Sequence, residues 1–202
     1  MKCGLVIGFL LLCAGAAAYA QQPRPADVNT EVEAMAGNNV LQLRYLAPSP
    51  WDLNGTRSDL DYGFLFTQNR DIVGSAALMF HTNLNLIPGL RIDVGPKGYL
   101  ALLSAVNKTD VFAAAIGADA RYPLPILNRW GLAAFGSAFY SPGVLTFGNA
   151  NNLYDFTVGA DLAFTSRFAA MAGYRWFKFT LVAEPSRHVD NELFVGLRWK
   201  LR

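Results

Sequence analysis

The strongest constraint on this chain is an alternation with a period of two. In Asn152–Thr165, NLYDFTVGADLAFT, the residues Tyr154, Phe156, Val158, Ala160, Leu162 and Phe164 are apolar, and those between them are Asp155, Thr157, Gly159, Asp161 and Ala163. Successive side chains of an extended strand point to opposite faces, so this segment has one apolar wall and one face of small and charged groups. The pattern recurs along the chain. Phe112, Ala114, Ile116, Ala118, Ala120 and Tyr122 oppose Gly117, Asp119 and Arg121, and Phe168, Ala170, Ala172, Tyr174 and Trp176 oppose Met171, Gly173 and Arg175. At the C-terminus, Leu193, Val195, Leu197, Trp199 and Leu201 oppose Glu192, Gly196, Arg198 and Lys200, with Phe194 breaking the pattern.

Helical spacing is almost absent, and clusters of Gly, Pro, Asn and Asp punctuate the alternation as turns. The spacing predicts ten strands: Val28–Ala36, Asn39–Ala47, Ser58–Thr67, Ile72–Leu84, Leu90–Leu103, Val111–Tyr122, Arg129–Tyr140, Asn152–Thr165, Phe168–Phe179 and Asp190–Leu201. Most match the roughly 9–11 residues that a tilted strand needs to cross a bilayer. Pro48–Arg57 is long for an inner turn, so the pattern also allows eight or twelve strands.

Two architectures use such strands. A soluble sandwich or periplasmic barrel turns the apolar face inward, around an apolar ligand or core. A transmembrane antiparallel up-and-down β-barrel turns it toward lipid and fills its lumen with the polar face. Three features favour the second. The polar face is built of Gly, Ala, Ser, Asp and Arg, a mixture suited to a narrow interior. Aromatic residues gather near the strand ends, with Tyr45, Tyr122, Trp130, Phe164, Phe168 and Trp199 at one end and Phe66, Phe112, Tyr140, Tyr154, Tyr174 and Trp176 at the other. Of these, Tyr122, Tyr140, Tyr154, Phe164, Tyr174, Trp176 and Trp199 are the expected lipid-interface aromatics. The third feature is the ending ELFVGLRWKLR, an amphipathic strand of the kind that barrel assembly machinery reads.

The first 20 residues fit export. Lys2, a short apolar run and Ala18-Tyr19-Ala20 form the layout of a cleaved signal peptide. A lipoprotein processed at Cys13 is the less favoured alternative, because Leu12 stands where a small residue is expected. Residues 21–27, with Pro23 and Pro25, read as a disordered lead-in, and 28–202 as the barrel. Both cysteines, Cys3 and Cys13, lie in the leader, so the remaining chain offers no disulfide or thiolate site. One of the 17 basic residues also lies there, which leaves 16 against 15 acidic residues and no basic run for a nucleic-acid partner. The expected location is the bacterial outer membrane, and the expected partners are its lipids and lipopolysaccharide.

On this register the inward charges are Glu31, Glu33, Asp61, Asp93, Asp119, Asp155, Asp161 and Glu192 against Arg44, Arg91, Lys97, Arg121, Arg175, Arg198 and Lys200. Near-balance in a narrow tube predicts a paired network across the lumen, because confined charges are costly unless paired and hydrogen-bonded. The role expected of such a barrel is structural, or porin-like for small solutes. Catalytic signals are sparse. His81 faces inward, and His188 stands two residues before Asp190 at the outer rim, which makes a rim hydrolase the rival from another class. No metal or cofactor motif is present in the sequence.

GADARY, FGSAFYSPG with its Tyr140-Ser141-Pro142, LYDFTVGADLAF and AAMAGYRWFKF together resemble the YfaZ family of Gram-negative outer-membrane proteins. The resemblance spans about Asp61 to Leu201, and the chain departs from many barrels in ending Leu201-Arg202 rather than on an aromatic. It implies an exported barrel and brings no enzyme activity or catalytic residues with it.

Overall fold

The computed structural model describes residues 30–51, 56–82, 87–104, 109–124, 131–181 and 186–201. The leader, the lead-in, Val28 and Asn29 of the expected first strand, and Trp130 of the expected girdle lie outside the described residues. Eleven strands follow in chain order: β1 Thr30–Ala36, β2 Val40–Pro48, β3 Ser58–Thr67, β4 Ile72–Thr82, β5 Arg91–Leu103, β6 Thr109–Pro123, β7 Leu132–Ser141, β8 Thr146–Gly148, β9 Ala150–Ala163, β10 Phe168–Leu181 and β11 Arg187–Leu201. Every pairing is antiparallel. Ten strands run up and down around a closed wall, and β11 returns to β1 from Thr30↔Leu201 to Ala36↔Val195. Closure leaves the wall without a free edge, which an open sheet of such strands would expose.

The two ends of the barrel differ. Where β1 starts and β11 finishes is the terminal end, and the opposite end carries the β1–β2, β3–β4, β5–β6, β7–β9 and β10–β11 connections. Among its described residues the long β2–β3 connection adds no strand. Ser49 N–H donates to Ser58 O at 2.8 Å and Ser58 Oγ to Trp51 O at 2.6 Å, extending that hairpin instead.

Two local features escape the alternation. In the β7–β9 connection, Gly143–Leu145 forms a 3-10 turn and β8 pairs with β6 through Val111↔Gly148, Phe112↔Phe147 and Ala113↔Thr146. This patch fills the wall beyond Ile116↔Tyr140, where β7 leaves β6. Gly148 has φ +94°, a conformation open to glycine and strained for other residues. β11 also starts three residues before the expected Asp190. Its ladder with β10 runs Phe177↔Asp190 and then Lys178↔His188, so Val189 is an extra residue that bulges the strand.

The apolar faces point outward. On the outside, Ile116 is 69% exposed, Val158 61% and Leu193 74%, while Asp61, Phe177 and Phe179 inside are fully buried. A soluble barrel around an apolar ligand needs the reverse arrangement. Aromatic rings form ladders on this outer face. Phe164, Phe168 and Trp199 stack at the terminal end with centroids 6.2 and 5.7 Å apart, and Tyr140, Tyr154 and Trp176 line up at the loop end at 5.0 and 5.8 Å. Tyr122 is half-buried on the same outer face, and Tyr174 stands lower on the wall with its hydroxyl donating to Asn191.

Inside, lumen-facing glycines make room for bulky neighbours. Gly117 is the register partner of Phe139, Gly159 of Phe135, Gly173 of Phe194 and Gly196 of Met35. A Cβ on Gly159 or Gly173 would stand 2.7 Å from the facing phenyl ring, and one on Gly117 would overlap the Phe139 ring. Small-against-large pairing of this kind lets a narrow interior fill. Gly117→Val is expected to destabilise the barrel by about 1–3 kcal/mol through overpacking. Ala138→Val, on the exposed outer face, should change stability little; urea unfolding midpoints in detergent micelles measure both.

Candidate functional site

The barrel interior is divided along its axis into a charged half and an apolar half. At the terminal rim, Arg91 on β5 bridges Asp59 of β3 and Asp93 of its own strand at 2.8 Å each. The His81 ring lies between the same two carboxylates, with Nδ1 2.5 Å from Asp93 and Nε2 3.2 Å from Asp59. On the opposite wall the buried Asp161 receives Arg198 at 2.9 Å and also Arg121. Glu31 extends this cluster to Arg198 at 3.6 Å and Lys200 at 3.7 Å.

Deeper in, Arg44 of β2 forms the central knot. Its Nε and Nη2 donate to both oxygens of Asp61 at 2.9 Å, Nη2 also reaches Asp119 of β6 at 2.6 Å, and Glu33 lies 3.6 Å from Nη1. The guanidinium fork matches a carboxylate with two parallel hydrogen bonds, which lysine cannot do. Lys97 adds a second cation 3.6 Å from Asp61 and lies over the Phe139 ring at 4.7 Å. A last polar layer follows. Arg175 grips Asp155 with two bonds of 3.1 Å and also reaches Gln42, while the Tyr99 hydroxyl donates to Asp155 at 2.8 Å.

Beyond this layer apolar side chains take over, with Asp190, the register partner of Phe177, buried beside them. Phe177 stands 5.0 Å from the Arg175 guanidinium and 5.7 Å from Tyr99, and Phe179 lies 5.2 Å further on. These rings pack with Leu65, Val73, Leu103, Leu153 and Val189 into an apolar plug. The plug is capped at the loop end by Asp71, which Arg187 meets with a fork of 2.8–3.2 Å and the Ser104 backbone with 2.7 Å.

Of the expected lumen charges, the structure brings Arg44, Lys97 and Asp119 together around Asp61, Arg91 to Asp93, Arg121 and Arg198 to Asp161, and Arg175 to Asp155. They form separate clusters rather than one network. Glu192 stands apart from the other charges and accepts the Asn39 backbone N–H at 2.9 Å. Asp59, Asp71 and Arg187 complete the paired interior and were not expected to, and His81, expected inward, is paired there as well. The plug was also missed, although both faces are apolar in Tyr99–Leu103 and Val111–Ile116, and such tracts signal a strand buried on both sides.

The structure separates the expected rim pair. The bulge at Val189 leaves the His188 ring outside, 6.3 Å from Trp176, while Asp190 is buried inside. At the other histidine, both ring nitrogens are held by carboxylates, and the nearby Ser58 and Thr82 hydroxyls donate to Trp51 O and Ile92 O. Among the described residues, no group of three or more His, Cys, Asp or Glu could hold a metal ion.

Arg44→Ala would leave Glu33, Asp61 and Asp119 facing one another in the lumen. Breaking a buried pair on one side costs about 3–5 kcal/mol, and denaturant titration of the refolded variant measures it. Asp119→Asn added to that variant should recover part of the loss.

Comparison with known proteins adds the family. No curated protein matches the sequence significantly. One similar solved structure, described as a bacterial polysaccharide outer membrane secretin, is 14% identical at a TM-score of 0.47 and covers 87% of this chain; the chain spans 64% of its length. Another, from work on the in-meso crystallization of membrane proteins, is 15% identical at a TM-score of 0.43, covering 86% of this chain and 83% of the other. The profile of the YfaZ precursor family matches residues 62–198, from the middle of β3 to near the end of β11 and so through most of the closed wall, and the chain belongs to the YfaZ family.

Proposed function

We propose that this chain is an integral barrel of the bacterial outer membrane with its termini toward the periplasm, and that its filled lumen gives it a structural rather than a conducting role. One observation carries the reading: the barrel is inside out relative to a soluble protein, with an apolar wall bounded by aromatic ladders and most of its charges paired within. Lipid can cover such a wall, whereas water would meet a large continuous apolar surface. The family supports export and an outer-membrane location. The C-terminal strand β11 is the segment offered to the assembly machinery.

A conducting role needs a continuous polar path. In this barrel Phe177, Phe179 and their neighbours stand across the axis, and the Arg187–Asp71 pair closes the plug at the loop end. A rim hydrolase has no support from the positions of His188 and Asp190, which face opposite sides of the wall.

The refolded protein is expected to migrate on gels differently before and after boiling. Recovery as a soluble periplasmic protein with unshifted migration would sink the membrane reading. Planar bilayers holding the wild type should stay silent, and Phe177→Ala/Phe179→Ala should open measurable conductance. Steady conductance by the wild type would overturn the structural role. On the outer wall, Val158→Arg should cost about 2–4 kcal/mol when folding is titrated in lipid vesicles.

A further inference from the structure

Nearly every charged side chain on the strands turns into the lumen. Lys178 and His188 do not. Lys178 lies between Phe177 and Phe179, which point inward and are fully buried, so its own side chain points out. His188 is exposed on the same outer face. The two are register partners across β10 and β11, and Lys178 is also the register partner of Tyr154 on β9. Among the described residues these are the two basic side chains that leave the strands outward, and they stand side by side.

Their surroundings are equally particular. The His188 ring lies 6.3 Å from Trp176, Trp176 lies 5.8 Å from Tyr154, and Tyr154 lies 5.0 Å from Tyr140. The pair therefore continues the row of Tyr140 and Tyr154 and stands just loopward of Trp176, where the apolar wall of Val158, Leu193 and Val195 ends. Lys178 makes no hydrogen bond or ion pair among the described residues. The outward carboxylate among them, Asp110, is on β6, with β7 and β9 between it and β10.

We propose that Lys178 and His188 bind the phosphate of an outer-leaflet glycolipid headgroup, whose apolar part lies along Trp176, Tyr154 and Tyr140. The proposal rests on the membrane reading, with the loop end facing outward. An ammonium and an imidazole N–H supply donors to one anionic oxygen cluster, and hydrogen bonds to charged groups are the stronger kind. An open shelf of rings suits an amphiphile, whereas free phosphate would need an enclosing cradle.

The test uses native mass spectrometry of the refolded full-length barrel in detergent micelles. Its probes are a bisphosphorylated lipid A, the same lipid without phosphates, and inorganic phosphate as competitor. The wild type is expected to retain the phosphorylated lipid selectively. Lys178→Ala/His188→Ala should lower retention about tenfold or more, and Lys178→Arg should keep it. Equal retention by the double variant, or of the dephosphorylated lipid by the wild type, overturns the proposal. So does displacement of the lipid by millimolar phosphate, which would assign the site to the free anion. Because both side chains stand on the outer face, His188 exposed and Lys178 half-buried, the variants should keep the wild-type heat shift. A wild type that inserts into vesicles without phosphate preference sinks this inference alone, while failure to insert sinks the membrane reading.

Discussion

Closure of the sheet through β1 and β11 is the constraint on which everything else depends. A strand with an apolar outer face cannot leave backbone donors and acceptors unpaired beside lipid, so each must find its partner in the next strand. The register from Thr30↔Leu201 to Ala36↔Val195 supplies the last set of partners. Once that register is fixed, the period of two decides which residues are enclosed. A slip of one residue would carry Glu33 and Arg198 to the outside and bring Val32 and Trp199 into the lumen.

Enclosure then creates its own problem, because a narrow interior has to be filled with groups that tolerate one another. The chain solves it in two ways along one axis. In the terminal half, fork-shaped arginines hold carboxylates of other strands, as Arg44 does with Asp61 and Asp119, and these chords tie together walls distant in sequence. In the loop half, aromatic and aliphatic side chains fill the space without needing partners. The junction is chemically graded: the Tyr99 hydroxyl binds Asp155 while its ring packs on Phe177, and Arg175 lies over that same ring.

The faces were legible in the sequence because a strict alternation leaves little choice. Asp155 and Asp161 could be assigned inward from NLYDFTVGADLAFT before any partner was known. Strand ends and pairings were less legible, since both depend on geometry between strands. The inserted Val189 shifts β11 locally, so Asp190 turns in while His188 remains out, and no composition signal marks it. The plug was hidden for a different reason. Where both faces of a strand are apolar, the alternation disappears, and the sequence alone does not say which face is enclosed. The partners of Arg44 were beyond reach as well, because residues from β1, β2, β3 and β6 meet there only after the wall has curved.

The filling of the loop half has a consequence for the size of the barrel. Phe177, Phe179 and Leu181 come from β10, Leu153 from β9 and Val189 from β11, so the last three strands carry much of the material that occupies the axis. Removing the β10–β11 hairpin would shrink the tube and take Phe177, Phe179, Leu181 and Val189 out of it together, while duplicating it would widen the tube and insert a second set of rings. The number of strands and the volume of the side chains inside are thus tied to one another. Descendants of this chain are free to vary their loops far more easily than their circumference.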